Sequence, residues 1–260
     1  MTDVKHSFQP RQRPTRGSSR ESSPNLRLGL RANVAQFTLL ATITFGVGLV
    51  VGAERVVVPV LAKQHFGIAS YLATLSFIVS FGFMKAALNL VAGRLADRVG
   101  RKPLLLLGWL VALPIPFMII FAPSWGWIVA ANLLLGVNQG LTWTMTVTSK
   151  IDLVGPDNRG FALGINEFSG YAGISVGGFV SGFLGGIYGL RVAPFLFVLV
   201  VIVVMLVVSF LLVRETQPYT HLETQPARVD TSVPLSPARE TLQDQEQPKP
   251  STFAIFALTT

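Results

Sequence analysis

Residues 93–102 form a short island of charge between two apolar stretches, each long enough to cross a membrane. The stretch before it, 66–92, carries one charged residue, Lys85, and the stretch after it, 103–149, carries none. The island itself holds four basic side chains. Basic residues in short loops mark the cytoplasmic side of membrane proteins. The pattern therefore predicts a tight cytoplasmic loop between two transmembrane helices.

The rest of the chain is equally apolar. Only 13% of its residues are charged and its mean hydropathy is +0.54, whereas a soluble domain has about 25% charged residues. In lipid every backbone polar group must be satisfied within the segment, so we expect helices. The sequence predicts an all-α membrane protein with six transmembrane spans: Val34–Ala62, Phe66–Ala92, Pro103–Phe121, Trp125–Ser149, Gly160–Ile187 and Val192–Val213.

The distribution of Lys and Arg gives an orientation. Seventeen of these residues fall in the terminal segments and the loops on one side, against three on the other, so both termini are expected in the cytoplasm. Residues 1–33 and 214–260 are predicted to be disordered, and the apolar run 251–260 is expected to approach a seventh helix that the chain does not complete. The net charge of +8 follows the cytoplasmic loops. We therefore expect membrane lipid and no nucleic acid as a partner.

Four charged side chains lie inside the predicted spans: Glu54, Arg55, Lys85 and Glu167. Such residues normally face protein or a water-filled cavity. Lys85 and Glu167 each lie eight residues, or about 12 Å, from the cytoplasmic boundary, so they can pair. The alternatives are that Lys85 reaches back to the interface and that Glu54 and Arg55 form an interfacial pair.

Uncharged polar residues add to this set. In the fourth span, Asn132, Gly136, Gln139, Trp143 and Thr146 recur at helical spacing, and they can line a cavity or join helices by hydrogen bonds worth about 0.6 kcal/mol. In the fifth span, glycines spaced by four residues predict a close approach of helices. The candidate cavity residues are Glu54, Arg55, Lys85, Asn138, Gln139, Asn166 and Glu167.

The charged island has a recognisable pattern, G-x-x-x-D-R-x-G-R-K. It resembles the loop signature between helices 2 and 3 of the major facilitator superfamily. The resemblance implies a gating loop that latches one half of a transporter to the other, formed by Gly93, Asp97, Arg98, Gly100, Arg101 and Lys102. The alternative is a basic loop that only sets the topology. Residues 169–178 also resemble the family's antiporter signature, with Ser169 and Ile174 replacing Gly and Pro. Gln139 and Gly140 match an Arg-x-x-Gln-Gly pattern in which Gly136 replaces Arg.

The resemblance implies a fold and a function. The fold is the N-terminal half of the family's structure, six helices arranged as two three-helix inverted repeats. The function is secondary transport of a small solute, as a permease or an efflux protein of the bacterial plasma membrane, together with a C-terminal half or a second copy of the chain. No enzymatic motif, metal site or cofactor site is present in the sequence, so neither catalysis nor a cofactor is expected. The alternatives are a membrane-embedded scaffold protein and an inactive product of a split or truncated reading frame.

Overall fold

The structure, a computed structural model, describes residues 27–224, with side chains up to residue 220. Within this part of the chain the regular structure is helical, with no β-strand, as the hydropathy predicts. A single 3-10 turn, Pro156–Asn158, precedes the sixth helix. The helices are α1 (Val34–His65), α2 (Tyr71–Val99), α3 (Arg101–Ala112), α4 (Pro114–Ile120), α5 (Trp125–Val154), α6 (Arg159–Tyr188), α7 (Ala193–Leu212) and α8 (Gln217–Thr224).

Five helical segments of the described part are long and apolar enough to cross a membrane. They correspond to five of the six predicted spans, and α3 and α4 together form one of them, Arg101–Ile120. The remaining predicted span, Trp125–Ser149, corresponds to α5. This helix has 30 residues, which is length enough, but the amides of Asn132, Asn138 and Gln139 lower its mean hydropathy. Hydropathy alone therefore supports five spans in the structure.

The prediction of a ten-residue loop over 93–102 is wrong, because this segment is almost entirely helical. Helix α2 continues to Val99 and α3 begins at Arg101, so Gly100 is the single residue between them. Its φ is +101°, a value that residues other than glycine rarely adopt. Charged residues can continue a helix past the hydrocarbon core, because water and headgroups solvate them there. The charged island is thus a sharp helix corner, which we call the α2–α3 corner.

Glycines let α1 and α6 pack backbone against backbone. A Cβ added at Gly48 would collide with the carbonyl oxygen of Gly170, and one at Gly173 would collide with that of Phe45. Gly177 lies equally close to the backbone of Leu49. The predicted close approach in the fifth span is therefore a contact between α6 and α1.

Helices α2 and α5 form a second close pair through Gly136 and Gly140. A Cβ at Gly136 would meet the backbone oxygen of Phe81, and one at Gly140 would meet the side chain of Leu88. Helices α3 and α7 pack beside these pairs. Large apolar side chains of α7, such as Val200, remain exposed, as expected for a surface that faces lipid.

The structure moves both boundaries of the predicted helical domain. Before α1, the amide of Asn33 donates to the carbonyls of Gly29 and Leu153 at 3.1 and 3.2 Å, so residues 27–33 are attached to the bundle. After α7, Glu215 and Gln217, the first residue of the short helix α8, contact the α2–α3 corner. The remaining parts of the predicted disordered segments, 1–26 and 225–260, lie outside the described residues, and so does the apolar run 251–260.

Candidate functional site

A buried arginine organises the α2–α3 corner. The Nη1 atom of Arg101 lies 3.0 Å from the Asp97 carboxylate, and its Nε lies 3.1 Å from Asp152 Oδ2. The Arg101 side chain is 6% exposed and that of Asp152 is 7% exposed, whereas Asp97 is 72% exposed. Asp152 also accepts a hydrogen bond from the Thr216 hydroxyl at 3.0 Å. The buried pair joins α3 to α5, and Asp97 adds a solvent-exposed bond within the corner.

Glu215 closes the same network from the segment after α7. Arg101 and Lys102 are the first two residues of α3. Their backbone N–H groups donate hydrogen bonds to the Glu215 carboxylate at 2.9 and 3.0 Å. It also accepts bonds from the backbone of Thr216 and Gln217 at 2.9 and 3.0 Å. A negative charge at a helix N-terminus satisfies orphan donors and complements the helix dipole. We call Asp97, Arg101, Asp152, Glu215 and Thr216 the corner network.

The other predicted gating residues have simpler surroundings. Gly93 and Arg98 are exposed, and a Cβ at Gly93 would meet no atom within 4 Å. Gly100 is buried, and a Cβ there would come within 2.6 Å of Glu215 Oε2. The ammonium of Lys102 lies 5.9 Å from the ring centroid of Phe210 in α7.

A pocket of about 300 Å³ lies where α1, α2, α5 and α6 meet. We call it the central pocket. Four of the seven predicted cavity residues line it: the charged residues Arg55, Lys85 and Glu167, and Gln139. Its lining consists of Val51, Arg55, Phe81, Lys85, Gln139, Trp143, Glu167, Tyr171 and Ile174.

The two cations of the central pocket share an aromatic wall. The guanidinium carbon of Arg55 lies 4.7 Å from the Phe81 ring centroid, and the Lys85 ammonium lies 5.8 Å from the same centroid. Lys85 also lies 4.9 Å from the Trp143 ring and 3.4 Å from the Gln139 side-chain oxygen. Cations over aromatic faces are stabilised by about 0.5–2 kcal/mol, depending on solvation.

The predicted pairing of Lys85 with Glu167 takes a weaker form. Both line the central pocket, and the Glu167 carboxylate is within electrostatic reach of the Lys85 ammonium. Among residues 27–220 no ion pair joins Lys85 to Glu167. Lys85 therefore faces the pocket rather than being neutralised by a direct contact.

The sequence interpretation missed Lys150, which it counted among loop cations. Lys150 is fully buried near the end of α5, and its ammonium donates to Thr44 and Asn166 side-chain oxygens, each at 2.7 Å. The amide of Asn166 in turn donates to Glu167 Oε1 at 3.1 Å. Lys150 thus orients Asn166, and Asn166 holds Glu167 at the pocket. The sequence could have indicated this position, because Lys150 continues the helical spacing of Gln139 and Trp143.

Three predicted cavity residues do not line the central pocket: Glu54, Asn138 and Asn166, the last of which lies behind Glu167. Glu54 is 1% exposed, and neither of its carboxyl oxygens has a hydrogen-bond partner within the described residues. Asn132 is close enough to interact with it, but its amide donates to the Ile128 carbonyl at 3.0 Å. Asn138 is buried against α3, where its amide donates to the Gly108 carbonyl at 2.9 Å.

A larger pocket of about 550 Å³ lies between α1 and α6. Its lining is mainly valine and glycine, with Gln64 and His65 as its polar side chains. It contains none of the four charged residues of the spans. The central pocket, which gathers three of them, is the stronger candidate for a functional site.

Most of the chain matches the sequence model of one known protein family. The sequence model of the Major Facilitator Superfamily matches residues 40–259. The chain belongs to the Major Facilitator Superfamily. This family comprises integral membrane transporters built from two six-helix halves.

Two curated relatives resemble this superfamily member. The proton-coupled antiporter flippase LtaA of Staphylococcus saprophyticus is 28% identical over 145 residues, which is 55% of this chain and 34% of LtaA. The class H tetracycline resistance protein of Pasteurella multocida is 26% identical over 184 residues, which is 69% of this chain and 44% of that protein. The matched regions therefore span less than half of each relative.

A solved structure agrees on the superfamily fold. The crystal structure of a peptide transporter, POT, in complex with alafosfalin superposes with a TM-score of 0.61 at 17% identity. The superposition covers 85% of this chain and 44% of the POT chain. At this identity the likeness concerns the fold alone.

Proposed function

We propose that this chain forms one six-helix unit of a secondary transporter that moves a small solute across the bacterial inner membrane. The observation that carries the proposal is the central pocket, where α1, α2, α5 and α6 bring Arg55, Lys85 and Glu167 together. Charged side chains inside a membrane bundle mark substrate or ion pathways. The names of the two curated relatives, an antiporter flippase and a drug-resistance protein, favour export over uptake.

The proposal counts α5 as a transmembrane helix, which raises the number of spans from five to six. Its polar side chains are covered by α1, α2, α3 and α6 rather than exposed to lipid, since Asn132, Asn138 and Gln139 are all buried. A helix shielded in this way can span a membrane at lower mean hydropathy. With α5 included, α1–α3/α4 and α5–α7 each supply three spans, in the order expected for two inverted repeats.

The topology follows from the same helix count. Six spans place both ends of the bundle on one side, and the charge asymmetry makes that side the cytoplasm. Reporter fusions at residues 20 and 230 should both give a cytoplasmic signal, and a fusion after Ser124, between α4 and α5, should give a periplasmic one. An odd number of spans would instead place the fusions at residues 20 and 230 on opposite sides and would contradict the proposal.

Transport is proposed to need a second six-helix unit. In this fold the substrate binds at the midplane between two units that rock against each other. The second unit can be a C-terminal half or a second copy of this chain, because the two halves have the same topology. In the assembled transporter, the corner network would act as the latch and the buried Glu54 carboxyl would be the candidate carrier of a coupled proton.

Flux measurements in liposomes test this proposal. We expect the purified chain alone to move none of a panel of radiolabelled solutes (tetracycline, an aromatic carboxylate, an aromatic amine and a dipeptide) under a pH gradient. Adding a C-terminal half, or linking two copies in tandem, should produce flux of at least one solute. Asp97→Asn and Glu54→Gln should each reduce it at least tenfold, and Lys63→Gln, at an exposed position, should not. Flux by a strictly monomeric chain would contradict the need for a second unit. Absence of flux in every assembly would contradict transport.

A further inference from the structure

The guanidinium of Arg55 has unused hydrogen-bonding capacity. An arginine side chain carries five N–H donors in a planar fork. Within residues 27–220 no acceptor takes any of them, and the contacts of this group are with the rings of Phe77 and Phe81, at 5.8 and 4.7 Å. The side chain is partly exposed at the central pocket. Its donors are therefore available to a ligand, and the fork geometry matches a carboxylate or phosphate.

A second cation lies at the same wall. The Lys85 ammonium shares the Phe81 ring with Arg55, and its one hydrogen bond among these residues, to Gln139, is long at 3.4 Å. The two cations interact repulsively. An anion placed between them would relieve this repulsion while accepting hydrogen bonds from both.

The charges around the pocket leave a positive excess. Arg55, Lys85 and the buried Lys150 are countered by two carboxylates, Glu167 at the pocket and Glu54 beside Arg55. One oxygen of Glu167 already accepts a hydrogen bond from Asn166 at 3.1 Å. The carboxylates thus neutralise only part of the positive charge that faces the pocket.

The remaining walls are aromatic and apolar. Trp143 in α5 and Tyr171 in α6 pack edge to face, with ring centroids 6.4 Å apart, and Val51 and Ile174 complete the surface. Aromatic faces of this kind suit a flat or apolar body, and the indole N–H and phenol groups add further donors. The pocket therefore offers cationic donors at one wall and apolar contact at the others.

We propose that the central pocket binds an organic anion, with its carboxylate, sulfonate or phosphate between Arg55 and Lys85 and its apolar or aromatic body against Trp143 and Tyr171. This assignment rests on the proposed transport function and names its substrate class. The anionic group can belong to a soluble solute or to a lipid headgroup, since both present the same chemistry to the two cations.

The direct test compares three probes of one shape on the wild-type chain. In maltoside micelles, radiolabelled 2-naphthoate should bind at least tenfold more tightly than the neutral 2-naphthamide, and more tightly than the cationic 2-naphthylmethylammonium. Scintillation proximity measurements on the immobilised chain give the dissociation constants. Equal affinity for naphthoate and naphthamide, or a preference for the cation, would overturn the proposal without any variant.

Variants locate the site and give the effect a sign. Arg55→Gln and Lys85→Gln should each weaken naphthoate binding at least tenfold and leave naphthamide binding within twofold. Glu167→Gln should strengthen naphthoate binding several-fold, because it removes a like charge and keeps the oxygen that accepts from Asn166. Lys63→Gln is the matched control for loss of a cation elsewhere. If one variant elutes as an aggregate, the other two and the wild-type comparison still decide, and unchanged naphthoate affinity in the variants that fold would overturn the site.

A competition experiment separates the two sources of the anion. Displacement of naphthoate by phosphatidylglycerol but not by phosphatidylcholine supports a lipid headgroup, whereas displacement by neither supports a soluble anion. The liposome assay keeps this inference distinct from the proposed function. Flux of tetracycline or a dipeptide by the assembled transporter, combined with no preference for naphthoate over naphthamide, would overturn the anion site and leave transport standing.

Discussion

Replacing Gly173 by alanine should destabilise the bundle by about 3 kcal/mol or more, although it adds a single methyl group. The added Cβ would collide with the carbonyl of Phe45 and lie 3.1 Å from the Cα of Gly48. Both contacts are with backbone atoms of α1, which cannot rotate away as a side chain can, so α1 and α6 would have to separate. Unfolding of the purified chain by SDS in mixed micelles, or the loss of monodisperse protein on extraction, measures the effect.

The same substitution elsewhere in α6 provides the control. A Cβ at Gly164 would meet no atom within 4 Å, so Gly164→Ala adds the same methyl group without a collision. Because alanine favours helix over glycine by about 0.8–1.0 kcal/mol, this variant should be as stable as the wild type or slightly more stable. Similar destabilisation by both variants would show that the close contact between α1 and α6 is not what stabilises the bundle.

Removing the Arg101 side chain at the α2–α3 corner should destabilise the chain by a comparable amount. Arg101→Ala would remove one partner of the Asp152 carboxylate, which is 7% exposed and also accepts a hydrogen bond from the Thr216 hydroxyl, and breaking a buried ion pair from one side costs up to about 3–5 kcal/mol. We expect a marked fall in the melting temperature of the detergent-solubilised chain, measured by scanning fluorimetry.

Arg98→Ala is the matched control, because Arg98 belongs to the same ten-residue sequence but is exposed. Its loss should change stability by less than about 0.5 kcal/mol. Asp97→Asn should also have a small effect on stability, since its bond to Arg101 is solvent-exposed and such pairs contribute about 0–1 kcal/mol. Equal losses for Arg101→Ala and Arg98→Ala would show that the buried pair does not stabilise the corner.

The sequence predicts the helices well because lipid leaves the backbone few alternatives. It predicts their ends poorly at the charged boundaries. Helix α2 continues to Val99 and α5 to Val154, because hydropathy reports where hydrocarbon ends and not where backbone hydrogen bonding ends. Mean hydropathy also does not register that the polar residues of α5 are buried against other helices. The mean hydropathy of α5 is therefore too low for this helix to count as a span by composition alone.

The pocket could be predicted only in part, for a geometric reason. Adjacent residues on a helix point about 100° apart, and here Arg55 and Gln139 face the central pocket, whereas their neighbours Glu54 and Asn138 do not line it. Composition names each pair but does not choose between its members. Lys150 was obscured in the opposite way, since it lies beyond the apolar window and yet on the same helical stripe as Gln139 and Trp143. The bonds that orient Glu167 depend on the contact of α1, α5 and α6, which no local pattern encodes.

Glu215 has a mechanical consequence. One carboxylate caps the starts of both α3 and α8, with four backbone N–H groups converging on it. A slide of α7 past α3 would break the two bonds that cross to Arg101 and Lys102, so these two helices are expected to move together. In the proposed transporter, the whole bundle would therefore turn as one rigid unit, and the side-chain shifts that sense a solute would have to be small ones within the pocket.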